Sequence, residues 1–169
     1  MRWPALVVGL MIVVSSCSRP VPDLDEERKA LAESFFRGVY GCDASVVDDL
    51  ASPAVVVSYP IFETIYGAGS IEGITEVRAF AERFCGRWAD PQITIHEALA
   101  EDDRVVLLWG FEARSTAPAD DGVPGEARRS WGGISMFRFD ELGKIVLEVG
   151  EESDPGPFAR LNEDRAGAN

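Results

Sequence analysis

The sequence predicts an α+β fold, with helices first and a meandering, mostly antiparallel sheet after them. Two observations carry this. Between residues 24 and 85 the apolar side chains recur at helical spacing, punctuated by glycines and prolines. From residue 92 to 151 they alternate, in runs separated by turn-forming segments. Each element then has one apolar side to bury, and helices packed on one face of a curved sheet bury both sets.

The first helix begins near Asp23 or Asp25, either of which can cap it, and Glu26 and Glu27 suit its positive end. Leu24, Leu31, Phe35 and Val39 share a face, and Gly41 ends the helix. A second, shorter helix fits Asp43 to Ala51, with Val46, Val47 and Leu50 on one side. Ala54 to Ser58 (AVVVS) reads as a strand stopped by Pro60, and Tyr66 to Gly73 (YGAGSIEG) as a loop. A third helix spans Ile74 to Cys85, with Val77, Phe80 and Phe84 inward, and Gly86 stops it.

Strands follow. Gln92 to Leu99 is the first. Arg104 to Ser115 places Val105, Leu107, Trp109 and Phe111 on one face. An acidic Pro/Gly loop, Thr116 to Ala127, leads to Arg128 to Phe139, where Trp131, Gly133, Ser135, Phe137 and Phe139 share a face. Asp140 to Lys144 (DELGK) turns the chain and Ile145 to Glu151 returns. Residues 162–169 read as a frayed, disordered tail.

The 169 residues carry 16 basic and 29 acidic side chains, a net charge of −13. The length suits one domain. The charge excludes nucleic acid and anionic headgroups as partners. The N-terminus has a different character. Arg2 precedes an uncharged apolar run, Ala5 to Val14, then Ser15, Ser16 and Cys17. A cationic start, a short apolar core and small residues describe an export signal. The run is too short to span a membrane, which takes about 20 residues.

Val14-Ser15-Ser16-Cys17 resembles the lipobox of bacterial lipoproteins. The resemblance implies a signal peptide over 1–16, a diacylglycerol (fatty acids such as palmitate) on Cys17 and a short tether over 17–25. A domain over 26–161 would then stand outside the cytoplasm, lipid-anchored to a membrane of the bacterial cell envelope. An ordinary secretory signal with an incidental cysteine is the alternative. Export would allow Cys42 and Cys85 to form a disulfide; two buried free thiols are the other possibility.

Five phrases resemble, in order, those of SnoaL-like domains in the nuclear transport factor two-like superfamily. They are Phe35 to Asp49 (FFRGVYGCDASVVDD), Gly69 to Phe80 (GSIEGITEVRAF), Glu101 to Trp109 (EDDRVVLLW), Phe137 to Val146 (FRFDELGKIV) and Asp154 to Leu161 (DPGPFARL). The resemblance implies a cone-shaped barrel, a curved sheet wrapped around three N-terminal helices, enclosing an apolar pocket and often forming a homodimer. There are departures. Val149-Gly150 stands where many relatives carry a tryptophan, and Arg160-Leu161-Asn162 where they carry Gln-Leu-Gly. The His- and Thr-Gly-containing phrase of ester-cyclase relatives is missing between Phe111 and Arg129.

In such a pocket the natural chemistry is proton transfer to a bound organic molecule, which needs an acid or base brought toward neutrality by burial. Asp154 matches the family's C-terminal aspartate and is the first catalytic candidate; a turn aspartate before Pro155 is the plainer reading. His96, the one histidine, is the auxiliary candidate. It either lines the cone or, if Ile93 and Ile95 face the core, points to solvent or a dimer interface. Tyr59, Tyr66, Trp109 and Trp131 are candidate ligand-binding walls, although core or interface aromatics look the same in sequence. Glu112 reads as a solvated strand charge.

No metal or other cofactor is expected. One histidine and unclustered cysteines make no zinc set, and no calcium loop, phosphate loop, dinucleotide fingerprint or nucleophile elbow is present. Two functions remain. The favoured one is a lipoprotein that binds a small apolar or amphipathic organic molecule without catalysis. The other is an acid/base enzyme (isomerase, polyketide-cyclase-like or hydrolase) using Asp154.

Overall fold

Asp23 starts the first helix: its Oδ1 accepts from the Asp25 backbone N–H at 3.1 Å. This computed structural model describes residues 23–116 and 127–166, with side chains described as far as residue 162. The export signal, Cys17, the tether up to residue 22 and the acidic loop 117–126 lie outside the described residues.

Helix α1 (Leu24–Gly41) lies on the concave side of the sheet. Phe35, Phe36 and Val39 are fully buried, whereas Leu24, read onto the same face, is exposed. Helix α2 (Val46–Leu50) is shorter than its sequence pattern and presses Val47 into the core. Strand β1 (Ala51–Ser58) begins earlier than expected, and Pro53 falls where its ladder with the last strand shifts register.

Helix α3 (Pro60–Tyr66) was not expected. Pro60 ends β1 as predicted, but it also opens a helix at the first position, where a missing N–H costs nothing. Gly67, at φ 68°, closes α3 within the segment read as a loop. After the short strand β2 (Ile71–Glu72), helix α4 (Ile74–Arg87) continues through Gly86 and stops at Trp88, where the backbone turns extended. Four helices, not three, thus precede the long strands.

Those strands are β3 (Trp88–Glu101), β4 (Arg104–Ser115), β5 (Arg128–Phe139) and β6 (Ile145–Ser153). The sheet order is β2-β1-β6-β5-β4-β3. The described pairings are antiparallel except β1 with β6, which is parallel. The apolar face of β4 and β5 meets α1: Phe35 stands edge-on to Phe137 at 6.2 Å, and Phe36 lies 5.0 Å from Trp109.

The tail expected to fray from Asn162 is helical to Ala166, in α5 (Pro157–Ala166). Its first turn is tied down. Arg160 Nη1 donates to Ser153 Oγ and to the Pro155 carbonyl, each at 2.7 Å. Gly156 packs against Gly132 so closely that a Cβ on either would overlap the other's backbone or the neighbouring strand.

Cys42 and Cys85 form a disulfide with Cα atoms 5.4 Å apart. It joins the C-terminal end of α1, where Cys42 itself takes the left-handed position (φ 78°), to the last turn of α4. The bond spans a sequence separation of 43. Replacing both cysteines by serine is expected to lower the unfolding free energy by about 4 kcal/mol, the loop-closure value for this length. A fall in the urea midpoint measures it.

Candidate functional site

The inward faces of β4 and β5 are aromatic, and helices α3 and α4 add aromatics opposite them. These side chains do not close completely on one another. They leave a cavity of about 350 Å³, a volume suited to a small organic molecule. Phe62, Phe80, Phe84, Trp109 and Phe111 make its walls, many of them in edge or tilted contact, such as Phe84 with Phe111 at 5.5 Å. The mouth combines Tyr66, Trp88 and Trp131 with four charged groups: Arg87, Arg129, Glu152 and Asp154.

Beneath the cavity lies a buried polar chain. Glu148 is fully buried on β6. Its Oε1 accepts from the Tyr59 hydroxyl at 2.6 Å and from the Tyr40 hydroxyl at 3.0 Å. The Tyr59 oxygen also lies 2.6 Å from Ser135 Oγ, which accepts from Trp109 Nε1 at 2.8 Å. One consistent direction of donation therefore runs from the indole through Ser135 and Tyr59 to the carboxyl. Glu148 Oε2 has no partner among the described residues. Burial pushes the Glu148 carboxyl from 4.5 up to about 7, against the opposing pull of the Tyr59 and Tyr40 hydrogen bonds. Both tyrosines, through burial and then the nearby carboxylate, are held well above their ordinary value and remain protonated donors.

The structure brings most sequence candidates to one place. Tyr59, Tyr66, Trp109 and Trp131 all line the cavity, and Asp154 lies at its exposed rim. His96 does not join them, a correction to its pairing with Asp154. Ile93 and Ile95, opposite Phe111 and Trp109, pack on the core, so the alternation of the strand points His96 out through the opposite face, the outward orientation that the sequence allowed. There it stacks on Phe158 of α5, ring centroids 3.7 Å apart and planes within 5°. Desolvation lowers its pKa. Glu112 pairs with Arg128 on that outer side, as a solvated strand charge.

Glu148 escaped the sequence reading for a definable reason. A plain hairpin from Phe139↔Ile145 would set Leu147 opposite Phe137. A register shift next to Phe139 instead sets Glu148 opposite Phe137, on the buried face. Arg129 was not singled out either, although its alternation with Trp131 on the inward side of β5 was a signal that could have found it. At the rim, Glu152 accepts from Trp131 Nε1 at 3.1 Å, and desolvation raises its carboxyl although the residue as a whole is exposed. Among the described residues no three His, Cys, Asp or Glu side chains are grouped to hold a metal.

The family described as "SnoaL-like domain" matches residues 32–148. No curated protein sequence matches. Solved structures share the fold at low identity. A protein described as a SnoaL-like polyketide cyclase from Jannaschia sp. CCS1 superposes with a TM-score of 0.65 at 12% identity, covering 80% of this chain and 92% of that one. AclR from Streptomyces galilaeus, described as a hydroxylase, gives 0.62 at 22% identity over 82% and 86%. An LEH-like epoxide hydrolase of M. tuberculosis gives 0.58 at 18% identity over 78% and 86%.

The buried carboxyl has a pH consequence. Below 4.5 both folded and unfolded chains hold the Glu148 proton, so its contribution is neutral. Between 4.5 and about 7 the unfolded chain has released it and the folded chain has not. Stability from this group therefore falls as pH rises through that window, by about 3 kcal/mol in all. Glu148→Gln is expected to remove that slope, as read from urea unfolding at a series of pH values.

Proposed function

We propose, on the premise that this chain belongs to the SnoaL-like domain family, that it binds a small apolar or amphipathic organic molecule without transforming it. The aromatic cavity of about 350 Å³ is the observation that carries this reading. Among the described residues, nothing acidic or basic lies deep within its walls. Glu148 is screened behind Tyr40 and Tyr59, Asp154 is exposed at the rim, and His96 is on the other face of the sheet.

The same reading holds the protein in the bacterial cell envelope by a lipid on Cys17, with the domain outside the cytoplasm. It also includes a homodimer. The outer sheet face supports the dimer: Leu99, Ile134 and Val149 are exposed there, beside half-buried Val106, Leu108 and Met136. Cys17→Ala is expected to abolish lipid modification and move the protein from the membrane to the soluble fraction. An unmodified wild-type mass would remove the lipid from this reading.

A second reading, an acid/base enzyme, is favoured by one observation: Asp154 and the raised Glu152 face the same mouth. The epoxide hydrolase and the cyclase named above are described as enzymes on this fold, but fold does not assign chemistry.

Native mass spectrometry of the domain from Ser18 onward, purified without stripping bound molecules, tests both. An organic molecule is expected to co-purify, on a mass of two chains. An empty cavity under every purification would overturn the binding reading. Turnover of the recovered molecule, lost in Asp154→Asn, would replace binding by catalysis.

A further inference from the structure

Two cations at the mouth have no work to do within the described residues. Arg87 is the last residue of α4 and is exposed; Arg129 is half-buried on β5, two residues from Trp131. Both line the cavity. Arg78, Arg114 and Arg128 each pair with an acid elsewhere on the protein. No ion pair or hydrogen bond from a described residue reaches the guanidinium of Arg87 or Arg129. On a chain of net charge −13, two guanidiniums without an acidic partner among the described residues, lining one aromatic cavity beside Glu152 and Asp154, bring its mouth to local charge balance and leave two cationic groups available to an anion.

We infer that the cavity takes an organic monocarboxylate: a flat apolar body among the aromatic walls, with its carboxylate at the mouth between Arg87 and Arg129. This rests on the pocket reading above and names the class of ligand. The chemistry follows from shape and charge. The guanidinium fork matches the two oxygens of a carboxylate. The walls below it are apolar, and Trp88 and Trp131, with ring centroids 5.0 Å apart, border the entrance as surfaces for a flat ring. The rim also limits the charge it accepts. Glu152 and Asp154 stand at the same mouth and would repel a dianion, so a phosphate monoester is disfavoured against a monoanion. Glu152 is already engaged by the Trp131 indole and leaves both guanidiniums open.

Calorimetric titration of the full-length protein with naphthoate, neutral naphthamide of the same shape, and naphthyl phosphate tests this. The acid is expected to bind at least roughly tenfold more tightly than the amide. In Arg87→Gln/Arg129→Gln that gap closes while affinity for the amide is unchanged, which also reports that the variant is folded. The gap should also shrink at high salt in the unmodified protein, a readout that depends on no variant. Equal binding of acid and amide, or a gap that survives the double substitution, overturns the inference and leaves the pocket standing. Tighter binding of the phosphate than of the carboxylate overturns the choice of a monoanion. Failure of all three compounds to bind overturns the pocket reading and this inference with it.

Discussion

A carboxyl group buried in an aromatic core needs hydrogen-bond donors, and the placement of the elements around the cavity supplies two of them to one of its oxygens. Glu148 takes its donors from Tyr40, near the end of α1, and from Tyr59, the residue between β1 and α3. Ser135 on β5 and Trp109 on β4 extend the chain of bonds. One polar group thus links helix α1 to strands from the middle of the sheet and to the start of α3. Moving any of these would orphan a buried polar atom, so the network holds the cavity floor in a single arrangement. Gly150 belongs to this constraint, because a Cβ there would fall 2.2 Å from the Tyr59 ring.

The walls are held differently. The Cys42–Cys85 bond fastens the end of α1 to the end of α4. It keeps the Tyr40 ring 5.2 Å from Phe84, and Phe84 in turn touches Phe111 of β4. The floor is therefore fixed by hydrogen bonds and the walls by a covalent tie and ring contacts. The rim alone is left to charged side chains, most of them exposed.

Much of this was legible from the chain. Two of the long strands have the bounds their alternation indicates, because an unbroken period of two over 12 residues leaves little freedom of register. The aromatic lining followed from the same alternation, and the pocket from the family resemblance. What stayed hidden depends on local irregularity. Pro60 signals a strand end and a helix start equally well, and α3 was lost to that ambiguity. The shift that turns Glu148 inward inserts one residue into an otherwise regular pattern. Nothing in the identity of Val146 announces it, and it reverses the face of the residue on which the buried network is built.

Gly110, Gly132 and Gly156 form a small block in which three backbones meet without side chains between them. Gly110 and Gly132 are cross-strand partners, and Gly156 caps them from the segment leading into α5. In evolutionary terms this is a coupled position, not three separate ones. A single codon change to alanine at Gly132 or Gly156 pushes a methyl group into neighbouring backbone, which cannot rotate away as a side chain can. Drift through this part of sequence space must lift the whole C-terminal segment off the sheet or leave the block untouched. The segment that leads into α5 is thereby tied to the sheet by the absence of side chains.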